Sequence, residues 1–218
     1  MENISELLRL PSPAPKPQSI AADGTVLWIG SRETCRLYAV DRMTWAARDE
    51  GEAPGVPWGM TVVGDELRII HGEGEDDDRV VKRMIPGRGF QKHGSFRAPD
   101  GTGSQLGWDG DVLYISQWYN KRIVGVDAQG AVLSTVAVPH GICGQVIVEG
   151  KFYLVTTDDE EHGAYWLTRV DARGDEPVCE DLAIIPFPAR ALAFDGERFW
   201  TNHREADQVV AFARPDAP

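Results

Sequence analysis

The sequence predicts an all-β fold, a five-bladed β-propeller of four-stranded antiparallel blades, and two observations carry that prediction. The first is a turn that recurs five times. A glycine, usually after an acidic residue and three residues before an apolar or aromatic one, stands at positions 24, 64, 110, 150 and 196, so the copies lie 40 to 46 residues apart. Repetition at this period is the signature of propeller blades. The second is that each interval repeats one order of short apolar stretches, and strand, tight turn, strand is a hairpin signal.

The elements follow in that order. Before each turn glycine lies a first strand (Ser19 to Ala22, Gly59 to Val62, Gln105 to Trp108, Gln145 to Val148, Ala191 to Phe194), and after it a second. A third often closes on aspartate, as in Arg36 to Asp41, Arg122 to Asp127 and Leu167 to Asp171. A weaker fourth comes next at Phe90 to Phe96, Ala131 to Val138 and Asp181 to Phe187. The last repeat stops after Val209 to Ala213 and lacks a fourth strand. Leu7 to Pro11 resembles Leu182 to Pro186, so residues 1–14 are expected to complete the final blade and close the ring. Residues 1–218 then form one propeller domain, with repeats beginning near 17, 57, 103, 143 and 189.

Bulk properties narrow the partners. A formal charge of −12 argues against nucleic acid and against anionic membranes, both of which select basic patches. No apolar segment is long enough to span a bilayer, and the start of the chain lacks the basic and apolar regions of a signal peptide, so a cytoplasmic monomer is expected. The three cysteines, Cys35, Cys143 and Cys179, share no metal-ligand spacing and read as free thiols. The run Glu73 to Asp78 lacks the ligand order and terminal glutamate of a calcium loop and reads as a solvated tip. Neither a metal nor a cofactor is expected.

In a propeller, loops that join blades and loops that join second and third strands crowd one mouth, and function sits on such loops. Counting six residues back from each turn glycine gives Gln18, Trp58, Ser104, Gly144 and Arg190, followed by Gln105 and Gln145. The other loops supply Glu33, His71, Gln117, Trp118, Tyr119, Asn202, His203 and Arg204. Aromatic rings, amides and two arginines around one funnel describe a pocket with an apolar wall and a few fixed polar groups. Arg190 and Arg204 suit a ligand carboxylate, or else salt bridges to acids such as Glu33 or Glu205. Trp58 and Trp118 suit a planar ligand, or else plug the channel. Glu33, His71 and His203 are the weak catalytic candidates. A zinc site built from them is disfavoured, as is a Cys143 nucleophile beside His140.

Several of these segments resemble the plant and bacterial type of glutaminyl-peptide cyclotransferase. Leu37 to Asp41 is similar to that family's Leu-x-x-Val-Asp, and Trp58 to Thr61 to its Gly-Glu-Gly-Leu-Thr segment. Ser104 to Leu106, with Leu113, Tyr114, Trp118, Arg122 and Asp127, resembles its third repeat, and Ala191 to Phe194 and Arg198 to Arg204 its fifth. The resemblance implies a five-bladed propeller that cyclises N-terminal glutamine with loss of ammonia. It aligns Gln18 with the family's mouth glutamine, Trp118 with a pocket tryptophan and Arg204 with a pocket lysine. The catalytic glutamate's position holds Trp58, and the pocket asparagine's holds Ser104. An indole cannot shuttle the proton that a carboxylate moves.

Three functions follow as expectations: an enzyme with chemistry diverged from glutaminyl cyclisation, acting on a small molecule or peptide N-terminus at the mouth; a non-catalytic ligand- or protein-binding propeller; and a cyclotransferase with a relocated acid, Glu33 being the nearest. The gluconolactonase group shares the turn rhythm but holds calcium with carboxylates at first-strand starts, where this chain has none.

Overall fold

The computed structural model describes residues 1–73, 77–174 and 176–215, so residues 74–76 of the acidic run lie outside the described residues. Strand β1 (Glu6–Pro11) opens the chain. The first blade is β2 (Pro17–Asp23), β3 (Val26–Ser31), β4 (Arg36–Asp41) and β5 (Ala47–Glu52), each antiparallel to the next. The second has β6 (Pro57–Val63), β7 (Glu66–Glu73) and β8 (Asp78–Ile85), and its outer edge is split into β9 (Gly89–Phe90) and β10 (Phe96–Arg97), both paired with β8. The third is β11 (Gln105–Trp108), β12 (Leu113–Gln117), β13 (Arg122–Val126) and β14 (Val132–Ala137). The fourth is β15 (Gly141–Val148), β16 (Lys151–Thr157), β17 (Tyr165–Asp171) and β18 (Val178–Ile185). The fifth is β19 (Ala193–Phe194), β20 (Phe199–His203) and β21 (Gln208–Phe212), with β1 as its outer strand.

The ring closes as the N-terminal repeat predicts. Strand β1 pairs antiparallel with β21, Leu10 opposite Val209. Upstream, Ile4 donates to the Ile184 carbonyl and Ile184 donates to that of Glu2, which straps the start of the chain onto the fourth blade. Ile4 is itself buried with Tyr153, Leu167 and Phe199. The seam to the first blade is sealed by Trp45 stacked on Trp200, their centroids 5.9 Å apart, while the Trp45 indole donates to the Pro11 carbonyl at 2.8 Å.

Side-chain alternation makes each blade apolar on both faces, so the core lies between blades. In β20 and β21, Phe199, Val210 and Phe212 pack towards blade four, while Trp200, Val209 and Ala211 pack towards blade one. At the inner strands the faces are bound by amides. Buried Gln105 uses Oε1 to accept from the backbone of Met60 (2.8 Å) and of Leu106 (3.2 Å), joining blades two and three. Gln145 donates to the Tyr114 carbonyl at 3.2 Å, joining four to three. Asn202 accepts from the Arg190 amide at 2.9 Å and donates to the Pro17 carbonyl at 2.8 Å, joining five to one.

One irregularity recurs where the first strands begin. The pairing of β2 with β3 skips Gln18, that of β6 with β7 skips Trp58, and that of β15 with β16 skips Cys143. Such bulges leave one residue unpaired and re-aim its side chain. All three skipped residues line the cavity described below.

Candidate functional site at the propeller mouth

Here the glycine count needs a correction in blade four. In blades one and two the glycine is the first of two turn residues, because Asp23 pairs with Val26 and Val63 with Glu66. In blade four Val148 pairs with Lys151, and the turn is Glu149-Gly150 with φ of 53° and 72°. Both positions are left-handed, as a type I′ turn demands, and the glycine falls second. Counting six back from it therefore stops one residue short. The residue at the mouth is Cys143, while Gly144 lies against blade five, where a Cβ would come 2.5 Å from the Ala191 carbonyl carbon.

The mouth holds a cavity of about 550 Å³. Of the residues expected there, Gln18, Trp58, Ser104, Trp118, Tyr119, Arg190 and Arg204 line it together. Gln105, Gln145 and Asn202 are the struts between blades. Gln117 is buried and holds a loop, donating to Pro99 O at 2.8 Å and accepting from Arg122 Nε at 2.7 Å. Glu33 is exposed and does not line the cavity. His71 is buried with Nδ1 3.2 Å from the Gly72 carbonyl, and His203 stacks on Phe187 with centroids 5.1 Å apart, so the two histidines sit apart from the cavity. Alternation explains His203: it shares the side of β20 that carries Phe199, facing blade four. Burial, with Arg9 nearby, lowers its pKa.

Sequence reasoning missed Arg32, Arg79 and the segment Asp158 to Glu161. The loop between β16 and β17 was open to the same reading as the other second-to-third-strand loops. Arg79 belongs to a third strand and gave no such signal.

At the floor, Arg190 is 5% exposed and Arg204 9%. Arg190 donates to the Tyr165 hydroxyl and to the Glu160 carbonyl (3.1 Å), and it ion-pairs the Glu160 carboxylate at 3.4 Å. Its Nε is buried with no hydrogen-bond partner among the described residues. Arg204 donates Nη1–H to Gln18 Oε1 at 3.0 Å and Nε–H to Glu205 at 3.1 Å. Burial first, then the neighbouring Arg190, lowers the Arg204 pKa, against the opposing pull of Glu205. Arg32 and Arg79 stand 5.1 and 4.3 Å from the Trp58 ring centroid. Cys143 lies 3.7 Å from Arg190 Nη1, but burial pushes its thiol up to about 12, which leaves it protonated and a poor nucleophile.

Among the described residues, no three His, Cys, Asp or Glu side chains converge as metal ligands.

Five four-stranded blades around a mouth cavity define a β-propeller. No protein-family model matches the chain, and no curated protein does. Among solved structures it is similar to the PQQ-bound aldose sugar dehydrogenase of Streptomyces coelicolor, at 13% identity over 97% of this chain and 98% of that one, with a TM-score of 0.52. It is also similar to regucalcin, a calcium-binding protein of Agrobacterium tumefaciens, at 12% identity over 97% and 95%, with a TM-score of 0.59. A Bacteroides caccae protein of unknown function matches at 9% identity over 91% and 78%, with a TM-score of 0.59. Likeness at these identities shows the fold alone. Among the described residues, no helix is long and apolar enough to cross a membrane.

Proposed function

We propose that the mouth cavity binds a small molecule or peptide end carrying a carboxylate or comparable anion, on a glutaminyl-peptide cyclotransferase-like scaffold that has lost the cyclotransferase reaction. The observation that carries this reading is the pair of buried guanidinium groups, Arg190 and Arg204, at the cavity floor. Guanidinium is the side chain suited to planar anions, and burial strengthens the attraction. Gln18, Trp118 and Arg204, the three positions aligned with the family's pocket, lie in one lining.

The glutamate position supports loss of the reaction. Trp58 occupies it, beside two arginines, and an indole cannot relay a proton from amine to departing ammonia. Glu33 stands outside the lining. A second reading, an enzyme acting on the same ligand, is favoured by one observation: Glu160 brings a half-buried carboxylate to the cavity, 3.4 Å from Arg190.

The test pairs two assays on the whole chain. Small carboxylates are expected to raise the melting temperature of the wild type and not of Arg204→Gln. An N-terminal glutaminyl peptide is expected to release ammonia only at its spontaneous rate. Turnover abolished by Glu160→Gln would establish the reaction with a relocated acid and overturn the binding reading.

A further inference from the structure

The charges around the cavity are sorted by blade. Asp158, Asp159, Glu160 and Glu161 all come from the loop between β16 and β17 in blade four. The four arginines come from the others: Arg190 and Arg204 from blade five, Arg32 from blade one and Arg79 from blade two. In a ring of five, blades one and two are next but one to blade four, so the acidic wall faces Arg32 and Arg79 across the mouth. Trp118 and Tyr119, edge to face with centroids 5.0 Å apart, come from blade three between them.

Most of these charges are already in ion pairs or hydrogen bonds, and the two that are not belong to different blades, Arg32 lying over the Trp58 ring of blade two. Asp158 is paired with Lys121 (3.1 Å) and His140 (2.9 Å), and Asp159 caps its own turn by accepting from the amides of Glu161 and His162. Glu160 is taken by Arg190, and Arg79 by Asp77. The Glu161 carboxylate and the Arg32 guanidinium have neither a hydrogen bond nor an ion pair among the described residues. On the floor beside them, Arg190 Nε is buried without an acceptor.

From this we infer that the ligand is an end-to-end zwitterion, with its ammonium at the Glu161 side of blade four, its carboxylate at Arg32 and Arg204, and an apolar middle along Trp118. ω-Amino acids and short linear peptides with both ends free have this form; an α-amino acid, whose charges are adjacent, does not. The inference rests on the reading of the mouth as an anion pocket and adds the second charge and the spacing.

Isothermal titration of the full chain with hexanoate, hexylamine, ω-aminohexanoate and glycine tests it. The aminohexanoate is expected to bind about tenfold tighter than hexanoate and than glycine, the gain of one charge-assisted contact. Glu161→Gln is expected to erase that gain and leave hexanoate unchanged. If hexanoate binds as tightly as its amino derivative, the zwitterion inference falls and the anion pocket stands. If glycine binds as tightly as the aminohexanoate, the end-to-end spacing is wrong. If none of the carboxylates binds, the anion pocket falls with it.

Discussion

Gln18 and Arg204, 186 positions apart in the chain, meet at the seam where the last blade joins the first, Arg204 Nη1 donating to Gln18 Oε1 at 3.0 Å. The contact couples ring closure to the cavity floor, because Gln18 is a bulged residue of β2 and Arg204 opens the turn after β20. Gln18→Leu removes an acceptor from a buried cation. The expected cost is about 1–3 kcal/mol, read from urea unfolding, since a buried donor is left unsatisfied. An unchanged midpoint would mean that water replaces the amide.

The N-terminal strand is predicted to be indispensable. Deleting residues 1–11 removes both the strap at Ile4 and β1, and leaves β21 as an open edge. Loss of a cooperative thermal transition, or association in sedimentation, is the expected outcome, with partial rescue by a synthetic peptide of residues 1–14. A monomer that melts cooperatively without these residues would contradict the closure.

Gly144 tests the corrected register in blade four. A Cβ there would lie 2.5 to 2.9 Å from three backbone atoms of Ala191 and Leu192, none of which can swing aside. Gly144→Ala is expected to destabilise by about 1–3 kcal/mol, the usual cost of overpacking. Gly150→Ala, at φ 72° with nothing near its Cβ, should cost about 1 kcal/mol through backbone strain alone.

Glu66 predicts part of the acid limb. Arg83 (2.7 Å) and then Arg68 (2.6 Å) hold its carboxyl at about 2, against an ordinary 4.5. A depressed carboxylate contributes stability that is complete above the unfolded pKa and is lost as pH falls through the folded one. The difference in unfolding free energy between wild type and Glu66→Gln should therefore be constant above about pH 4.5 and shrink towards pH 2. A difference that grows on acidification would refute the assignment.

Thiol chemistry provides a last check. Cys143 is 4% exposed with its thiol pushed up to about 12, whereas Cys35 and Cys179 are only partly buried. An aromatic disulfide reagent at pH 8 should titrate two thiols in the native protein and all three in denaturant.

Much of this protein was legible before any coordinates. The blade number, the strand order and the closing role of Leu7 to Pro11 followed from repetition, because each blade must bury two faces against its neighbours and can do so only with one pattern. Seven mouth residues were legible for the same reason, since repeats share a register. The strand Gly141–Val148 marks where that stopped. Whether a turn glycine comes first or second in a two-residue turn is a one-residue difference in backbone geometry, and it exchanged Gly144 for Cys143. The role of each polar side chain was likewise hidden. Gln18 and Gln105 are both amides at first strands, yet the first lines the cavity and the second bonds to the backbone of the preceding blade. Partner choice of that kind depends on atoms brought together from distant parts of the chain. So does the sorting of charge at the mouth: Arg32, Glu161 and Arg204 are surface-type residues on three separate loops in the sequence, and only the closed ring sets them around one cavity.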